Sequence, residues 1–129
     1  ELALALNKVR HPYNISATSL ALAEVVLRRF GDVQDAMITR AIANRSRLER
    51  LIDRIPNAHR YPAHGNLVLC RLADSARAQA LVKALADKGV RIKDVSKVPR
   101  LEGCIRVSVG TTAELDHLES ALRELGELS

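Results

Sequence analysis

Between Cys104 and Leu125 the spacing of apolar residues changes period within a few positions. CIRVSVG alternates: Cys104, Arg106 and Ser108 fall on one side of an extended chain, and Ile105, Val107 and Val109 on the other. TTAELDHLESALREL comes next and sets Leu115, Leu118, Leu122 and Leu125 on one helical stripe, with Thr111 or Thr112 as its N-cap. A strand with one apolar face, leading directly into a helix with one apolar stripe, buries both most simply by packing them together. This directs the chain to a layered α+β fold, a small, mainly antiparallel sheet covered by helices.

The rest of the sequence supplies the other layers. Residues 8–15, KVRHPYNI, read as an extended lead-in, because Pro12 keeps His11 out of helical geometry. Ser16 fits an N-cap for a helix running to Gly31, and Asp32 fits the N-cap of a long helix reaching about Ile55. That helix repeats Val33, Met37, Ala41, Leu48, Leu51 and Ile55 at helical spacing. Its other face carries Arg40, Arg45, Arg47, Arg50 and Arg54, read as a solvated row. NAHRYPAHG is irregular, with a short strand near Tyr61. NLVLCRL is a strand, and DSARAQALVKALADKG is a helix capped by Asp74 or Ser75 and stopped by Gly89. VRIKDV alternates as a half-buried strand, SKVPRLEG is a loop, and CIRVSVG is the last strand. Two domains are expected: residues 1–31, the lead-in segment and first helix, and residues 32–129, a long helix followed by strand, helix, strand, strand and helix.

Several kinds of chemistry are excluded by what the residues are. His11, His59, His64 and His117 lack metal-ligand spacing from one another or from a cysteine, so no metal site is expected. There is no nucleophile elbow, P-loop or dinucleotide-binding glycine pattern. Cys70 and Cys104 lie inside apolar runs, as reduced buried thiols of a cytoplasmic protein would. No apolar run is long enough to span a bilayer, and no secretory signal is visible. The net charge of +5 is spread along the chain, and Tyr13, Phe30 and Tyr61 are its whole aromatic complement. Nucleic acid is therefore not an expected partner, since single-strand binders stack bases on aromatic side chains.

Two cations stand out. Arg106 lies in mid-strand between apolar neighbours. It is either an exposed ion-pair partner or a guanidinium turned to a cleft to take a carboxylate or phosphate. In VRIKDV, Arg91 and Lys93 share a side. If this strand pairs with the last, one of them lies near Arg106, and like charges side by side are costly unless an anion sits between them.

KVRHPYNIS, GNLVLCRL and GVRIKDVSKVPRLEGCIRVSVGTTAELDHLESAL, in that order and at these separations, resemble the histidinol-phosphate aminotransferase family over nearly the whole chain. The resemblance implies the C-terminal small domain of a fold type I enzyme that depends on pyridoxal 5'-phosphate (PLP) and works as a homodimer. It implies amino transfer between histidinol phosphate, a phosphorylated amino alcohol, and 2-oxoglutarate, a 2-oxo acid, in histidine biosynthesis. Arg106 then grips an anionic substrate group such as a carboxylate, and Lys93 stands where the family usually has an arginine for the substrate phosphate. Asn66 matches a structural asparagine, while Tyr13 and Asn14 match a segment near the active site. Lys8, Lys83, Lys88, Lys93 and Lys97 do not match the Schiff-base lysine segment, which the resemblance places before Glu1. No catalytic or cofactor-binding residue, and no bound PLP, is expected in these 129 residues. Two rivals remain: a related phospho-amino-acid decarboxylase, and a non-catalytic α+β module binding small anions or RNA.

Overall fold

A computed structural model describes residues 1–9 and 14–129. The chain divides into two units, Glu1–Met37 and Ile38–Ser129.

The first unit is helical. Helix α1 spans Leu2–Val9 and α2 spans Ala17–Arg29. Residues 8 and 9 therefore belong to a helix and not to an extended lead-in. The alanines and leucines of LALALNKV are strong helix formers, and the bend attributed to Pro12 falls at His11, outside the described residues. Ser16 is the N-cap of α2, its side chain accepting from the Ser19 N–H. The helix ends at Phe30, and Gly31 starts the next one, α3, Gly31–Asp53. Asp32 thus lies in the first turn of α3, where it favours the positive end of the helix dipole, and is not its N-cap.

The second unit holds a four-stranded antiparallel sheet. Strand β1 is His59–Arg60, β2 is Leu67–Arg71, β3 is Lys93–Asp94 and β4 is Cys104–Ser108, in the spatial order β1-β2-β4-β3. Helix α4 spans Ser75–Asp87 and α5 spans Thr112–Glu124. Asp74 caps α4, accepting from the Arg77 N–H at 2.7 Å. Thr111 caps α5 in a reciprocal box with Glu114.

The sheet has two unlike faces. Val68, Cys70 and Leu72 with Ile105 and Val107 turn toward the helices, joining Leu48, Leu51, Ile52, Leu81, Leu85, Leu115, Leu118 and Leu122 in one core. The opposite face carries Leu67, Leu69, Arg71, Cys104, Arg106, Ser108 and Lys93, because side chains alternate along each strand. The helices thus cover one face, as the sequence pattern requires.

Two further sequence expectations are corrected. The strand expected over VRIKDV is only Lys93–Asp94: Gly89 has φ +81, and Val90 donates back to the Leu85 carbonyl, which ends α4 and delays ladder formation. The arginine row of α3 is not simply solvated. Arg47 pairs with Asp116 at 2.7 Å and Glu119 at 3.0 Å, Arg54 pairs with Glu119 at 3.2 Å, and Arg45 donates to the His64 carbonyl at 2.7 Å. These contacts fasten α3 to α5 and to the turn before β2.

Candidate functional site

Antiparallel pairing decides which residues meet on the open face. In β3 and β4, Lys93 is the register partner of Arg106, and Val95 donates to the Cys104 carbonyl two pairs further on. In β2 and β4, Leu69 partners Arg106, and Arg71 partners Cys104. The Tyr61 N–H donates to the Leu69 carbonyl, extending the row to β1. Tyr61, Leu69, Arg106 and Lys93 therefore form one line across the sheet, with directly opposed Cβ atoms about 5 Å apart.

Lys93 and Arg106 are both exposed. Among the described residues neither forms an ion pair, a trait shared with Arg45, Arg50 and Arg91 among others; what sets these two apart is that they are cross-strand register partners. Two adjacent cations without a direct ion-pair partner repel each other, and their charged donors are free to take an anion from solvent. Arg71 adds a third positive charge to this face. Its Nε donates to the Tyr61 hydroxyl at 3.0 Å and a terminal nitrogen donates to the Arg100 carbonyl at 2.9 Å. The bond to Tyr61 chiefly holds the Arg71 pKa above its ordinary value. Arg71 is not among the residues that the sequence alone singles out; its position two residues beyond Leu69 on the same strand face is the signal that could have found it.

The remaining candidate groups lie elsewhere. Arg91 is exposed outside β3 and, with Val107, Leu115, His117 and Leu118, helps to line an open groove of about 610 Å³. The His117 ring nitrogen lies 3.0 Å from the Lys88 carbonyl at the end of α4. His59 stacks edge-on against Tyr61. No group of three potential metal ligands is found among the described residues. The carbonyl of Asn66 accepts from Val109 and carries the β2–β4 ladder one pair further. Asn14 is exposed, and Tyr13 falls outside the described residues. Both cysteines are free and buried, and burial pushes the Cys70 thiol up to about 11.

No helix among the described residues is long and apolar enough to cross a membrane. The chain is 35% identical to the histidinol-phosphate aminotransferase of Thermoanaerobacter sp. (strain X514), an alignment covering 93% of this chain and 33% of that protein. In fold it is similar to a decarboxylase from Sulfurospirillum multivorans, with a TM-score of 0.76 at 22% identity over 96% of this chain and 36% of that one. It is also similar to the histidinol-phosphate aminotransferase of Sinorhizobium meliloti solved with pyridoxal-5'-phosphate, with a TM-score of 0.68 at 28% identity over 95% of this chain and 33% of that one. The chain thus spans about a third of the length of the proteins it matches. The family described as aminotransferase class I and II matches residues 1–122, and the chain belongs to that family.

Proposed function

We propose that this chain is the substrate-gripping part of a PLP-dependent aminotransferase that moves an amino group between histidinol phosphate and 2-oxoglutarate. The observation that carries the reading is the register pairing of Lys93 with Arg106 on an open sheet face, with no carboxylate partner for either among the described residues. Arg106 offers a planar fork to a carboxylate, and Lys93 offers a compact positive charge to a phosphate. The 35% identity to a histidinol-phosphate aminotransferase supports the choice of substrates. By the same resemblance the whole protein is a homodimer, and two free buried thiols suit the cytoplasm.

The lysines of this chain do not fit the role of holding PLP. Lys83 pairs with Asp87 and Lys88 with Glu124, Lys97 sits in an exposed turn, Lys93 faces the open sheet, and Lys8 is exposed on α1. PLP supplies the electron sink of amino transfer. What these residues contribute is binding and orientation: charge-assisted bonds at one end of the substrate fix the position of the other end.

The test uses the polypeptide that joins this chain to its Schiff-base lysine. Transamination of histidinol phosphate is expected, and its absence sinks the substrate assignment. Arg106→Ala should lower kcat/KM by well over tenfold, as loss of a charge-assisted contact worth about 2 kcal/mol requires. A change within about threefold excludes the grip. Lys93→Arg should lower KM for the phosphorylated amine, because a fork replaces a point charge. The competing reading is a phospho-amino-acid decarboxylase, since an L-threonine-O-3-phosphate decarboxylase shares this fold. Release of carbon dioxide from a phosphorylated amino acid, without amino transfer, would select it.

A further inference from the structure

Lys93 sits on a strand of two residues, and so short an edge strand does not hold itself in place. The strand leads into the loop Val95–Gly103, a succession of tight turns in which Val98 donates to Val95, Leu101 to Val98 and Cys104 to Leu101. Within this loop Arg100 has φ +71, a left-handed conformation disfavoured for a side chain of that size. The Arg100 carbonyl is turned to the Arg71 guanidinium, while Arg71 Nε is fixed on the Tyr61 hydroxyl. One planar fork on β2 therefore ties the β1 side of the sheet to the loop that carries β3. It also accounts for Cys104, which shares the open face with Arg106 yet is fully buried: Arg71 is its cross-strand partner, and the Cys104 thiol lies 3.9 Å from the Glu102 carbonyl of the loop.

We propose that Arg71 is a positioning residue whose fork clamps the Val95–Gly103 loop to the sheet and so holds Lys93 beside Arg106. The proposal rests on the reading of Lys93 and Arg106 as an anion grip. It requires the geometry of arginine and not its charge alone, since a lysine ammonium cannot present the same planar donors to the Tyr61 hydroxyl and the Arg100 carbonyl.

The experiment compares the 129-residue chain with its Arg71→Met, Arg71→Lys and Tyr61→Phe variants. Inorganic phosphate is titrated while the amide resonances of Lys93 and Arg106 are followed. In parallel, a small thiol reagent measures the reactivity of Cys104, with Cys70 as the internal control for folding. Arg71→Met should weaken phosphate binding about fivefold or more, the equivalent of one lost hydrogen bond. It should also raise Cys104 reactivity about tenfold or more through local opening, with Cys70 still protected. Arg71→Lys should rescue neither readout, and Tyr61→Phe should move both in the same direction by less. The proposal is overturned if Cys104 stays protected in Arg71→Met, whatever the phosphate affinity, because the loop has then not moved. It is equally overturned if Arg71→Lys restores both readouts, or if Cys104 opens while phosphate affinity stays within about twofold. Should the wild-type chain bind no phosphate, the anion grip itself fails, and the thiol readout alone then decides the clamp. Should Arg71→Met expose Cys70 as well, Tyr61→Phe carries the test: a Cys104 that reacts no faster in it than in the wild type overturns the proposal.

Discussion

Glu119 accepts from three arginines: Arg123 at 2.7 Å from its own helix, Arg47 at 3.0 Å from α3, and Arg54 at 3.2 Å from the turn that follows α3. These bonds, Arg123 first and Arg47 next, bring its carboxyl down to about 2 from the ordinary 4.5. Because the folded pKa lies below the unfolded one, the stabilisation is complete above about pH 4.5 and disappears as pH falls toward 2. Urea unfolding of the wild type and Glu119→Gln should therefore differ at neutral pH and converge toward pH 2; a gap independent of pH would refute the assignment. A second prediction concerns Gly103, which has φ +72. A Cβ there would lie 3.0 Å from the Leu72 carbonyl oxygen and 3.2 Å from the Asp74 carbonyl carbon. Gly103→Ala should cost on the order of 1–3 kcal/mol in denaturant unfolding. Single residues are unevenly legible in the sequence. The alternation around Arg106 puts it on the right face, and the side shared with Lys93 comes from the same period. The partners of Arg47 and Arg54 are not legible, because Asp116 and Glu119 are about seventy positions away along the chain and only the packing of α3 on α5 brings them near.

At the scale of elements, local chemistry makes the caps readable and tertiary closure blurs the strand ends. Ser16, Asp74 and Thr111 are N-caps because each precedes an apolar periodic run and offers an oxygen to an N–H three residues on. The first helix is harder to see, because a run as short as LALAL is unremarkable against the lengths of membrane spans and signal peptides. Alternation alone extends strand β3 over 90–95, since it does not reveal that Val90 is still engaged by the end of α4. Thr111→Ala tests the cap that forms a reciprocal box. It removes the acceptor of the Glu114 N–H, while Glu114 itself is held below its ordinary pKa chiefly by the Thr111 backbone N–H. The expected cost is about 1 kcal/mol in unfolding free energy. Fraying should appear as faster amide exchange in the first turn of α5, and an unchanged exchange pattern would contradict the role.

Across the whole molecule, buried and exposed apolar side chains are sharply divided along the sequence. Among the described residues every buried hydrophobic one lies from Leu48 onward, whereas Leu4, Leu6, Leu20, Leu22, Val26, Phe30 and Met37 are all exposed. Neither α1 nor α2 contributes a buried residue. The apolar spacing of α2 makes the helix legible but not the fate of its face, because periodicity says that a stripe exists and not what lies against it. Leaving such side chains in water forgoes roughly 1.5–3 kcal/mol each, and apolar surface of this extent is a mark of contact surfaces. For the 129-residue chain this has two effects that can be measured together. It should bind the dye ANS, and the paired change Leu22→Lys with Val26→Glu, one helical turn apart on α2, should reduce that signal. The same pair should leave the cooperative unfolding of the Ile38–Ser129 unit within about 0.5 kcal/mol of wild type, as expected for exposed positions outside that unit. A loss above about 1 kcal/mol would show that α2 supports the core after all, and that its exposed stripe is already part of the stable fold.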